Sequence, residues 1–163
     1  MTLCYFNVET VLSEAVKLWD FCSELLVDLS AHKSRNSSTY LTQSTSMGML
    51  ATNPVYNVIL GCDCSHQAEK VYEIIKTFNE KDSVKVDFLL YGNFSIYMTD
   101  WQIPFPGLTK RAYILCPLLE LDPNFVFPDG ERILDKVSKL EDDEVTATKI
   151  FEVTKTHIDE KSL

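Results

Sequence analysis

Positive charge is scarce in this chain of 163 residues. Lys and Arg total 15 against 24 Asp and Glu, giving a formal charge of -9 and a pI near 4.7; only Arg35, Arg111 and Arg132 are arginines. That deficit argues against non-specific nucleic-acid binding, which depends on neutralising phosphates, so no nucleic-acid partner is expected. No apolar run approaches the ~20 residues of a membrane helix, and no membrane partner is expected either. The opening MTLCYFNVETVL lacks a basic stretch followed by a long apolar one, which predicts no secretory signal and a cytoplasmic location. A disulfide framework is also lacking: Cys4, Cys22, Cys62, Cys64 and Cys116 are odd in number and widely scattered, as in a reduced cytoplasmic protein. Cys62-Asp63-Cys64-Ser65-His66 has half of a zinc pattern, but no second cluster completes it, and buried cysteines at a strand end are the simpler expectation. No internal repeat occurs. What remains, 45% hydrophobic and 24% charged, is the composition of one ordinary folded domain.

The hydrophobic periodicity then orders the elements. Residues 2–8 form an apolar strand. Val11, Ala15, Trp19, Cys22, Leu25, Leu26 and Leu29 make a helical stripe over 10–29, with Thr10 as its cap and Glu14 in its first turn. A strand is expected near 36–43, and a strict alternation runs from 55 to 64. Ser65 is placed as the cap of a helix whose inner face is Ala68, Val71, Ile75 and Phe78. In the strand at 84–91, Val84, Val86, Phe88 and Leu90 share one face, and Lys85, Asp87, Leu89 and Tyr91 the other. A Gly92-Asn93 turn, the loop IPFPGL, the apolar RAYILCPLLELD and a short helix near 131–140 follow. The acidic run Glu141–Glu144 opens an extension, so the expected division is a domain at 1–140 and an acidic segment at 141–163, read as strand then helix. The order strand–helix–strand–strand–helix–strand predicts a ferredoxin-like α+β sandwich, a mainly antiparallel sheet with helices on one face and Asn57, Lys85 and Asp87 on the other.

Several residues at fixed offsets point further. Asp87 with Gly92 and Asn93, Pro104 and Pro106, then Arg111, Tyr113, Leu115, Pro117 and Leu118, Pro123 and the PDG turn at 128–130 together resemble the second half of hydroxymethyl-dihydropterin pyrophosphokinase. The first half matches through the opening strand, Asn57 and the element order, so the resemblance spans roughly residues 2–140. It implies a folate-pathway kinase that transfers pyrophosphate from ATP to a reduced pterin, with Mg²⁺ and ATP as cofactors and pterin and ATP as small-molecule partners. It also implies Asp87 as metal ligand and catalytic residue, Arg111 as a catalytic phosphate contact, and Asn57 and Tyr113 as pterin contacts.

The chemistry implied there is positioning plus neutralisation of phosphate charge by Mg²⁺ and cations. The family's Asp pair, at i and i+2 on one strand, here reads Lys85-Val86-Asp87. Lys85 is at most a weak phosphate contact and otherwise an ion-pair partner. The family's Gly-Ser-Asn is Glu9-Thr10-Val11, its Pro-His-Pro is Pro104-Phe105-Pro106, the Arg that follows is Gly107, and the long cationic loop ahead of the Asp pair shrinks to NEKDS. These departures predict impaired catalysis. The alternative reading is a non-catalytic descendant that binds a pterin or a protein partner.

Overall fold

The structure, a computed structural model, describes residues 1–43, 54–140 and 151–153. Its elements are β1 (Thr2–Val11), α1 (Leu18–Asp28), β2 (His32–Asn36), β3 (Thr39–Gln43), β4 (Pro54–Cys64), α2 (Ala68–Phe78), β5 (Val84–Tyr91), β6 (Ile96–Tyr97), β7 (Gln102–Ile103), α3 (Ala112–Leu121), α4 (Ile133–Ser138) and β8 (Phe151–Val153). β5, β1, β4, β3 and β8 lie in that order in one antiparallel sheet; β2 also pairs with β4, and β6 and β7 form a separate hairpin. This is the ferredoxin-like antiparallel α+β architecture that the element order predicts. Part of the C-terminal extension, β8, pairs its backbone with β3. The expectation for the acidic run and the final helix lies outside the described residues.

Alternation along the central strands sorts their side chains between two cores. Cys4, Phe6 and Val8 of β1, Val58, Leu60, Cys62 and Cys64 of β4, and Val84, Val86 and Phe88 of β5 meet α1 and α2 on one face. α1 contributes Leu18, Cys22, Leu25 and Leu29, and α2 contributes Ala68, Val71, Ile75 and Phe78. The opposite face carries Tyr5, Ile59, Leu89 and Leu90, covered by Tyr113, Ile114, Leu115 and Leu118 of α3 and Ile133 of α4. α1 and α2 thus supply the predicted helical face, while the apolar segment after Arg111 is the helix that closes the other. Cys62 and Cys64 are buried, as the strand-end reading expects, and burial pushes the Cys62 thiol up to about 12.

Three local expectations change. Thr10 caps no helix: β1 continues to Val11, a 3₁₀ turn at Leu12–Lys17 follows, and the Thr10 hydroxyl donates to the Ser83 carbonyl at 2.7 Å. Ser65 does not cap α2; Gln67 precedes it in an extended conformation with no side-chain cap. In β5 the register steps from Phe6↔Phe88 to Tyr5↔Leu90, so Leu89 is an extra residue. This bulge moves Leu90 onto the α3 face and turns Tyr91 towards the α1–α2 core.

Candidate functional site

The sheet face beneath the start of α3 carries an unusual row of polar side chains. Asn7 and Glu9 stand two residues apart on β1. Across β4, Glu9 faces Asn57; across β5, Asn7 faces Asp87 and Glu9 faces Lys85. Asn7, Glu9, Asn57 and Asp87 are all buried. Burial of this much polarity demands partners, and the side chains supply them to one another. The Asn7 amide donates to Glu9 Oε1 at 2.8 Å and to Asp87 Oδ2 at 3.3 Å. The Asn57 amide donates to Asn7 Oδ1 at 3.3 Å and to the Tyr113 carbonyl at 3.1 Å. Lys85 Nζ lies 3.2 Å from Asp87 Oδ1.

One atom is left over. The Asn57 Oδ1 is buried and accepts no hydrogen bond. An orphan acceptor of this kind costs about 1–3 kcal/mol and commonly marks a place where something else donates.

Arg111 and Tyr113 border the row from the α3 side. Gly107, with φ +70°, makes the left-handed turn into the 3₁₀ segment Leu108–Lys110, and Arg111 follows in extended conformation ahead of α3. The Arg111 guanidinium lies 5.2 Å from the centre of the Phe105 ring and donates to the Tyr113 hydroxyl at 3.2 Å. Where the resemblance implies an imidazole, Phe105 therefore engages Arg111 through its ring face. Tyr113 is 5% exposed and belongs to the α3 core.

The electrostatics follow from burial. Desolvation, then the charge of Asp87, raises the Glu9 carboxyl above its ordinary value; Lys85, Asn7 and Arg111 oppose this without cancelling it. Burial pulls Lys85 down, but Asp87 and Glu9 outweigh it and the net shift is upward, so the ammonium stays charged. Burial also raises the Tyr113 phenol. Glu9 and Asp87 against Lys85 and Arg111 make the cluster formally neutral.

The donor set does not fit a magnesium centre. Mg²⁺ needs a carboxylate it can approach, but the Lys85 ammonium stands at Asp87 Oδ1 and would repel a divalent cation there, while Oδ2 accepts from Asn7. Among the described residues no group of three His, Cys, Asp or Glu side chains could hold a metal. The expected metal role of Asp87 is therefore not supported by its surroundings.

A cleft of about 480 Å³ opens beside this row at the outer edge of β5, lined among others by Tyr72, Asn79, Phe88, Trp101 and Phe105. Asn79 seals part of that edge, its amide donating to the Val86 carbonyl at 2.8 Å and its oxygen accepting from the Val86 N–H at 2.7 Å. Tyr72 and Trp101 stack at 4.9 Å. The cleft carries Asp87 and Asp100 against Lys76, a poor charge balance for polyphosphate.

The structure thus brings together Asn57, Lys85, Asp87, Arg111 and Tyr113, all singled out in the sequence, and adds Asn7 and Glu9. Odd-numbered polar residues in TLCYFNVETV were the available signal for those two; only the cross-strand register shows what they face.

The same arrangement of strands and helices occurs in known proteins. The Plasmodium falciparum HPPK-DHPS triple mutant with pteroate superposes with a TM-score of 0.69 at 13% identity, over 85% of this chain and 43% of that one. Wild-type P. falciparum HPPK-DHPS with SDX-DHP gives 0.70 at 12% identity over the same shares. An HPPK-DHPS in complex with substrates gives 0.67 at 10% identity, over 84% of this chain and 43% of that one. The chain has an HPPK-like fold. HPPK abbreviates the pyrophosphokinase that the Asp87–Gly130 motif resembles. At this identity the likeness is one of fold, and the chain spans less than half the length of the HPPK-DHPS proteins it matches. No protein-family profile matches the sequence.

Proposed function

We propose that this chain is a pterin-binding relative of the folate-pathway pyrophosphokinases that does not carry out metal-dependent pyrophosphoryl transfer. The observation that carries this reading is the contrast between two acceptors on one sheet face: Asn57 Oδ1 is buried without a donor, while Asp87 is paired with the Lys85 ammonium and accepts from Asn7. The first suits a heterocycle that offers N–H groups. The second puts an ammonium where the Mg²⁺ that in-line transfer from ATP relies on would have to approach.

Recognition would be shared between Asn57, reading the pterin edge, and Tyr113, whose ring would stack on it. Asn57 is fully covered and its amide is tied to the Tyr113 carbonyl. Binding therefore requires the start of α3 at Tyr113 to move away from Asn57, and the association rate would be set by that opening. Arg111 is already held by Phe105 and Tyr113, and Lys85 by Asp87, so neither is free to take up nucleotide phosphate charge without breaking a contact.

The test combines binding and turnover. Calorimetric titration with 6-hydroxymethylpterin is expected to give saturable binding. Incubation of the dihydro form with ATP and Mg²⁺ is expected to release no AMP above a protein-free control. AMP release at enzyme-like rates would return the site to pyrophosphoryl transfer, and absence of pterin binding would remove the ligand reading.

A further inference from the structure

Glu9 stands where the resemblance implies the glycine of Gly-Ser-Asn, so its side chain is a departure from that motif, and it occupies the centre of the polar row. It faces Asn57 on one side and Lys85 on the other, and it is 6% exposed. We propose that Glu9 is a specificity-determining residue, its carboxylate acting beside the Asn57 amide oxygen as a double acceptor for a heterocycle with adjacent N–H donors, the cyclic guanidine edge of a 2-amino-4-oxopyrimidine. This rests on the pterin-binding reading above and extends it to a residue which that reading does not use.

Three observations support it. Directly opposed side chains on neighbouring antiparallel strands have Cβ atoms about 4.5–5.5 Å apart, so the Glu9 and Asn57 side chains are neighbours on one face. The Asn57 acceptor is buried and without a donor, so the internal network leaves an acceptor at this place for an incoming N–H group. The surrounding charges also balance: Lys85 and Arg111 both act on Glu9 against the charge of Asp87, so an uncharged heterocycle can be desolvated here without leaving an ion uncompensated.

The arrangement is selective by its unpaired alternative. A 2-amino group donates to the carboxylate, whereas a 2-oxo group sets oxygen against oxygen and leaves both without a proton. Replacing Glu9 by Gln keeps the shape and the acceptor for Asn7, but adds an amide donor that a 2-oxo group can accept.

The experiment is a calorimetric titration of the wild-type chain, Glu9→Gln, Glu9→Asp and Asn57→Ala with 6-hydroxymethylpterin and its 2-oxo analogue 6-hydroxymethyllumazine. The wild type is expected to prefer the 2-amino compound by about tenfold or more in Kd, and Glu9→Gln to lose or invert that preference. Glu9→Asp, which keeps the carboxylate, is expected to retain the preference at weaker affinity, and it carries the test if the Gln variant does not fold by thermal melting. An unchanged preference in Glu9→Gln overturns the role of Glu9. If Asn57→Ala then still loses pterin binding, the pterin reading survives that failure. Binding of neither compound by the wild type removes the reading and the proposal together.

Discussion

A buried asparagine, a buried glutamate and a buried aspartate on one sheet face are individually costly, and each is tolerated through a specific neighbour. Asn7 bridges Glu9 and Asp87, and Lys85 neutralises Asp87 from a half-exposed position. Glu9 remains the strained member, since burial and Asp87 favour its protonated form. A carboxyl raised in the folded state stabilises fully below its ordinary value of about 4.5, and that contribution is lost as pH rises through the raised value. Glu9→Gln, which mimics the neutral form, should therefore melt higher than wild type at neutral pH, with the difference vanishing near pH 4. Paired thermal melts across that range check this, and a wild-type advantage at pH 7 would contradict it. Lys85 makes a second case. With its ammonium on Asp87, wild-type melting should not respond to Mg²⁺. Lys85→Asp should cost about 1–3 kcal/mol in a chelator by setting three carboxylates together. Mg²⁺ at about ten times its Kd should then restore about 1.4 kcal/mol in that variant alone. Equal responses of both proteins to Mg²⁺ would show that Lys85 does not close the site.

At the scale of elements, the strands were legible where alternation was strict and less so where tertiary contacts intervened. β4 and β5 lie within a residue of their predicted limits because period-two burial is a local pattern. β1 runs past its predicted end because Glu9 and Thr10 are carried by pairing with both neighbours, a non-local gain that outweighs the helical stripe beginning at Thr10. The bulge at Leu89 has no signature in VKVDFLLY, since either leucine satisfies an apolar face. α3 forms although Pro117 lies inside it, with Ile114, Leu115 and Leu118 all buried against Tyr5, Ile59 and Leu89. The segment from Gly107 to Arg111 depends on that packing for its position, so the site inherits its geometry from α3 rather than from its own sequence.

Over the whole molecule, β1 is the shared wall of both cores: Cys4, Phe6 and Val8 face α1 and α2, while Tyr5 faces α3. Neither core can lose its wall without the other doing so, which predicts a single cooperative unfolding transition. Leu25→Ala in the α1 core and Leu118→Ala in the α3 core should each lower stability by about 2–5 kcal/mol and shift the same calorimetric peak. Two separate peaks, each moved by one variant only, would show that the faces unfold independently. By itself the sequence determined the class of fold, the faces of β4 and most of β5, and the identity of Asn57, Lys85, Asp87, Arg111 and Tyr113 as neighbours of interest, because periodicity and motif spacing are properties of a linear chain. It also determined the shortage of cations that the charge of -9 records. Only the tertiary structure decided that Asn7 and Glu9 join them, that Asp87 is paired with Lys85 and Asn7, and that one buried acceptor on Asn57 is left without a donor. Those outcomes depend on which strands pair and in what register, and register is set by contacts distant in sequence.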